Sequence, residues 1–194
     1  LVYESKHRSI MNGMPIPFVK KMVSKISIYF LYISACLTGG LIAGIYFSNK
    51  EAGWGDFSYP MTVYTRDGYE VIPRSKYLLY VLLAMLVIIL MVLCLSILMN
   101  IFFKNMYANV LFGLGLFALV DLLQAAGLNM GLLYPIKFVD FASVLSGETA
   151  IQIDQSSIDY RYMMIWLIVS VLALMVILFG QNRHSFHGNV LFYL

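Results

Sequence analysis

The residues able to do chemistry are few and scattered. Asp121 is the one acid embedded in an apolar run, and Gln124 follows it three residues later, on the same helical face. An ionisable group at membrane depth is read first as a functional position, so the pair reads as lining the outer mouth of a pathway. His184 and His187 have helical spacing, but with His7 they complete the set of three histidines, and no third ligand stands beside them. Cys36 and Cys94 both fall inside apolar runs and read as buried thiols, not as a disulfide or a metal site. The chain has no G-x-x-x-x-G-K-[ST] phosphate loop, no H-E-x-x-H, no paired C-x-x-C and no G-x-S-x-G. Intrinsic ATP hydrolysis, zincin chemistry and serine hydrolysis by those routes are therefore excluded. The expectation is a chain that is not itself an enzyme, with no catalytic residue and no resident metal or cofactor.

What positions these residues is lipid. The composition is 61% hydrophobic and only 12% charged, against about 25% charged in soluble domains. Residues 77–103 carry no formal charge; at about 1.5 Å per helical residue they outreach a hydrocarbon core of roughly 30 Å. Residues 26–47, 107–126 and 162–180 repeat the pattern, so the fold class is an all-α membrane protein, a bundle of four transmembrane spans. Only Lys104, Asn105 and Met106 separate the second and third spans, which predicts a tight antiparallel turn. Gly40 and Gly44 form a G-x-x-x-G pair in the first span, and Gly113 and Gly115 sit in the third; these are packing signals. The net charge of +3 does not point to nucleic acid, because the basic residues flank apolar runs instead of forming one face.

Charge orients the bundle. Lys6, Arg8, Lys20, Lys21, Lys25, Lys104 and Arg183 fall on one side, and Lys50, Arg66, Arg74, Lys76, Lys137 and Arg161 on the other. The first group occupies shorter segments and crowds ahead of the first span, so the positive-inside rule predicts both termini in the cytoplasm of a plasma-membrane protein. Residues 48–76 and 127–161 are then extracellular, and 181–194 form a cytoplasmic tail. Within the first outer segment, Asp67-Gly68 between alternating β-formers predicts an extracellular β-hairpin over 61–72, with Arg66 opposite Tyr69, Thr65 opposite Glu70, Tyr64 opposite Val71 and Val63 opposite Ile72. Residues 127–144 are apolar yet broken by Gly131 and Pro135, which reads as re-entrant short helices before the last span; residues 145–159 read as a polar surface loop.

The lead-in, residues 1–25, reads as a charged elbow facing the cytoplasm. Residues 5–14 can form a short surface helix, stopped at Asn12-Gly13 and broken by Pro15 and Pro17. This segment resembles the region joining the second and third spans of ABC-2 type permeases, the membrane subunits of type V ABC exporters. Glu4, Arg8, Ser9-Ile10-Met11 and Met14-Pro15-Ile16-Pro17 match the family's acidic residue, coupling helix and small-Pro-x-x element in order, and Lys20, Lys21 and Lys25 match its basic helix start. Tyr134-Pro135 through Asp140 to Leu145-Ser146-Gly147 is similar to its Pro–Asp–Leu-x-Gly stretch. The Gly-Thr common in the coupling helix is replaced by Arg8-Ser9-Ile10, and the outer hairpin is not a general family feature. The resemblance implies six spans in the intact protein, with two preceding Leu1. That agrees with a start, Leu-Val-Tyr-Glu, that reads as the interior of a longer chain. It further implies an ATP-driven exporter subunit moving an amphipathic peptide or lipid-like cargo, in the style of phenol-soluble-modulin or lantibiotic exporters. Glu4, Arg8, Ser9, Met11, Met14 and Pro15 would couple to a cytoplasmic ABC ATPase that carries the ATP and Mg, and a second permease copy or paralogue would complete the pathway. The alternative is a non-transporting four-helix scaffold or sensor that uses the hairpin as a ligand platform.

Overall fold

The computed structural model describes residues 18–53, 56–103, 105–126 and 131–190. Their order is α1 (Phe18–Ala52), β1 (Pro60–Thr65), β2 (Gly68–Pro73), α2 (Arg74–Phe103), α3 (Met106–Ala125), a 3-10 turn (Gly131–Leu133), α4 (Tyr134–Lys137), α5 (Phe141–Ser146), α6 (Glu148–Ile153) and α7 (Tyr160–Val190). Lys20–Phe47, Arg74–Phe103 and Tyr160–Gly180 are long and apolar enough to cross a membrane, and the protein is membrane-embedded. α3, 20 residues long, contains the shorter apolar stretch Tyr107–Val120.

The bundle is organised by α2 and α7. Ala84, Met91, Cys94 and Leu98 form one stripe of α2, and Met163, Leu167, Val171 and Leu178 form one stripe of α7; all are buried. The spacings of three, four and seven keep each set on a single helical face. Ala84, Met91, Met163, Leu167 and Val171 share one core cluster, with Phe138 from the segment after α4 filling its upper end. Cys94, Leu98 and Leu178 join Met22 and Ile26 of α1 in a second cluster, far from the hairpin. Beyond Ile26, α1 leaves its neighbours: Ile28, Leu31, Tyr32, Ile42 and Phe47 are all exposed.

The turn between α2 and α3 is as tight as expected. Asn105 caps α3, its Oδ1 accepting the Tyr107 N–H at 3.0 Å, which satisfies one of the amides a helix start leaves open. The rings of Phe103 and Phe112 meet 4.9 Å apart across it. α7 continues through residues 181–190, so the last helix runs on past the apolar stretch that ends at Gly180.

The hairpin forms with a different register from the expected one. Thr65 pairs with Gly68, Tyr64 with Tyr69, Val63 with Glu70 and Met61 with Ile72. The two turn residues are therefore Arg66 and Asp67, neither with positive φ, and the positive φ falls on Gly68 at 121°. A type I′ turn needs positive φ at both central residues, and here that demand moves to the glycine alone. Each partner shifts by two residues, one full side-chain period, so no residue changes face. Val63 and Ile72 still point inward together, as diagonal neighbours, and are buried against Leu145.

The stretch from 145 to 159 is not a surface loop. α6 runs through it, with Thr149, Ala150 and Ile153 buried, and Ile158 follows with no exposure. Asp140 caps α5: its Oδ1 accepts the Ser143 N–H at 3.4 Å, and its Oδ2 accepts the Ser143 hydroxyl at 2.5 Å. Gly147, at φ 84°, ends α5 and opens α6, the left-handed position at which helices commonly terminate on glycine.

Candidate binding cleft at the hairpin end

Where the hairpin docks on the starts of α2 and α7, a cleft of about 640 Å³ opens between Thr65, Arg66 and Glu70 on one side and Tyr80, Asp159, Tyr160 and Arg161 on the other. Its walls follow from how each element is anchored. The inner face of the hairpin, Val63 and Ile72, is held by Leu145 with Tyr77, Tyr80, Val81, Phe141 and Tyr160 around it. Two tyrosine hydroxyls tie the hairpin to α5 and to the turn after α6: Tyr64 donates to the Ser156 carbonyl at 3.2 Å and Tyr69 to the Ser146 carbonyl at 3.4 Å. The two rings meet edge to face at 5.6 Å, a favoured aromatic geometry.

The floor is a tyrosine pair. Tyr80 of α2 and Tyr160 of α7 stack with centroids 4.3 Å apart and planes 11° from parallel. The Tyr160 hydroxyl donates to the Tyr80 carbonyl at 3.0 Å. Above the stack, the Lys76 Nζ stands 5.7 Å from the centre of the Tyr80 ring, within cation–π range, and 3.9 Å from Glu70 Oε1. Lys76 and Glu70 are about half exposed, so solvent screens their attraction. Asp159 caps α7 by accepting the Tyr162 N–H at 2.8 Å.

Three cations (Arg66, Lys76, Arg161) and three anions (Asp67, Glu70, Asp159) line this cleft with four tyrosines. Balanced charge on an aromatic floor can grip a molecule with both polar and apolar parts by non-covalent contact. Among the described residues, no group of three or more His, Cys, Asp or Glu side chains is placed to hold a metal ion.

The expected site residues are not brought into this cleft. Glu4, Arg8, Ser9, Met11, Met14 and Pro15 lie outside the described residues. Asp121 and Gln124 lie on α3, with their side chains outside the described set. The tyrosine floor escaped the sequence reading because its two members stand 80 positions apart. The available signal was tyrosine at the ends of two apolar runs, the place amphipathic rings favour in membrane proteins. No protein-family model, no curated protein and no solved structure matches this chain.

Proposed function

We propose that this chain is the permease subunit of an ATP-driven exporter of the ABC-2 type, in the plasma membrane, moving an amphipathic peptide or lipid-like cargo outward. In this reading α3 is the additional span, the hairpin and short helices face outward, and residues 1–25 face the cytoplasm. ATP and Mg belong to a separate ATPase docked on Glu4, Arg8, Ser9, Met11, Met14 and Pro15. A second copy or a paralogue completes a pathway to which Asp121 and Gln124 contribute.

The observation that carries the reading is the attachment of α1. The most apolar 18-residue stretch of this helix has no buried residue. Among its described residues Met22 and Ile26 are buried, one turn apart, packed on Cys94, Leu98 and Leu178. Those contacts lie immediately after the basic lead-in. A displacement of the elbow would therefore reach α2 and α7 through one compact joint, while the exposed apolar side chains beyond Ile26, such as Leu31, Ile42 and Phe47, could pack on another chain. Rocking of one unit against another is the usual form of such coupling.

The experiment is co-purification followed by ATPase measurement. The intact chain is expected to bring a nucleotide-hydrolysing subunit with it. Replacing Arg8 and Met11 with Glu is expected to abolish cargo-stimulated hydrolysis while leaving membrane insertion unchanged. Hydrolysis at the unmodified rate in that variant would defeat the proposal. The second reading, a ligand-sensing scaffold, is favoured by the hairpin cleft itself. It would gain if an amphipathic ligand bound there in the complete absence of an ATPase partner.

A further inference from the structure

α2 is 30 residues long, which at about 1.5 Å per residue is about 45 Å. That matches a bilayer with its headgroups, about 40–45 Å, and exceeds the hydrocarbon core of about 30 Å. Its first residues, Arg74 and Ser75, therefore stand in the headgroup zone. Their amides are among those that a helix start leaves without an intrahelical partner. The Tyr59 carbonyl accepts the Arg74 N–H at 3.0 Å, and the Phe57 carbonyl accepts the Ser75 N–H at 3.2 Å. The turn that carries these two carbonyls is itself tied down. The Tyr59 N–H donates to the Asp56 carbonyl at 3.2 Å, and Asp56 Oδ1 accepts the Ser58 N–H at 2.9 Å and the Ser58 hydroxyl at 2.6 Å. Phe57 and Tyr59 are thus held at the level of the α2 start, yet both are more than half exposed.

We propose that this turn docks the base of the hairpin onto the bilayer, with Phe57 and Tyr59 seated among the lipid headgroups. Tyrosine collects at that level because its ring is apolar and its hydroxyl is polar. A phenylalanine there removes apolar surface from water. α1 supplies a second aromatic pair at the same face. Its apolar stretch ends at Phe47, and the exposed Tyr46 and Phe47 rings meet edge to face at 5.7 Å. α1 and α2 are consecutive crossings, so the end of one and the start of the other share one face of the membrane. Asp56 and Arg74, both exposed, set the depth: charged groups are costly in hydrocarbon, which keeps the turn among the headgroups and not below them. The hairpin tip belongs to water. Arg66 and Asp67 lie beyond the six residues of β1, about 20 Å along the strand at about 3.4 Å per residue. The inference rests on the membrane reading and not on transport.

The test is photocrosslinking of the full chain in phosphatidylcholine nanodiscs, with p-benzoylphenylalanine replacing Phe57, Tyr59, Leu79 or Asp67, one position at a time. Leu79, exposed in the second turn of α2, is the lipid-facing reference. At Phe57 and Tyr59 one exposed aromatic group replaces another, so the fold is kept. Intact-mass analysis is expected to show a phospholipid adduct at positions 57, 59 and 79, and loss of that adduct at position 67. Labelling at Leu79 with no lipid adduct at Phe57 and Tyr59 overturns the proposal. Crosslinking of Phe57 and Tyr59 to a second copy of this chain in place of lipid overturns it as well. A lipid adduct at Asp67 as abundant as at Phe57 also overturns it, because the hairpin would then lie along the membrane instead of being held there by its base.

Discussion

Replacing Gly147 with Ala tests how the hairpin is seated. Gly147 stands at φ 84°, and a Cβ built there would meet Tyr64 Cδ2 and Cγ at 2.8 Å and Cβ at 3.1 Å. Left-handed backbone costs a non-glycine residue about 1–2 kcal/mol. The clash adds an overpacking term of about 1–3 kcal/mol, because the obstructing atoms are the root of the ring and not its mobile end. The ring has little room to give way: its hydroxyl is bonded to the Ser156 carbonyl and its edge packs on Tyr69. The total expected for Gly147→Ala is therefore about 2–5 kcal/mol. Gly53 is the internal control. It also caps a helix with positive φ, 74°, but has nothing within 4 Å of an added Cβ, so Gly53→Ala should cost only the backbone share of about 1–2 kcal/mol. The assay is reversible denaturation of the purified protein, paired with limited proteolysis of the hairpin, which should become cleavable in Gly147→Ala alone. In a Tyr64→Ala background the extra cost of Gly147→Ala should largely vanish, since neighbouring sites couple and this cycle isolates the ring contact. Equal destabilisation by Gly147→Ala and Gly53→Ala, with a protected hairpin in both, would refute the reasoning.

Three further outcomes follow from the same geometry. Leu167→Ala removes a side chain with no exposure at the centre of the α2–α7 contact and should cost about 2–5 kcal/mol in the same denaturation assay; Val176→Ala, at a position 70% exposed, should cost less than about 1 kcal/mol. Tyr160→Phe deletes the bond to the Tyr80 carbonyl while keeping the ring stack, so stability should fall by about 0.5–1.5 kcal/mol, and a loss above that range would mean that the stack itself had come apart. The carboxyl of Asp56 is held below the ordinary aspartate range, first by the Ser58 hydroxyl at 2.6 Å and then by the Ser58 N–H at 2.9 Å. A depressed folded-state value stabilises above the ordinary carboxylate range, and that contribution disappears as pH falls through the folded value; Ser58→Ala should move the titration of Asp56 upward in a carbon-13 NMR experiment, and an unmoved titration would show that the hydroxyl contributes nothing.

The long helices were legible in the sequence because the solvent dictates them. A chain stretch such as 77–103, without formal charge, has to satisfy its backbone bonds internally in lipid, and α2 covers that whole stretch. The turn at Asn105 was equally legible, since the bond that caps α3 is made between near neighbours. The position of the hairpin was readable from its alternating pattern, but its register was not. Two pairings offset by a full side-chain period bury the same residues, Val63 and Ile72, and the pattern cannot choose between them. The choice falls to the positive φ at Gly68. α6 was hidden for a different reason: Ala150, Ile151 and Ile153 stand among polar neighbours in a short stretch, and only packing shows that Thr149, Ala150 and Ile153 face inward.

The hairpin cleft belongs wholly to tertiary structure. Tyr80 meets Tyr160 over a separation at which local propensity carries no information. Sequence by itself determined the medium this protein lives in, because burial of backbone polar groups in lipid is a local requirement that each span must meet alone. Which side chains share a site was decided by packing between distant segments, where the close fit of Tyr64 on Gly147 and the stripe of α2 on α7 set distances that no linear pattern encodes.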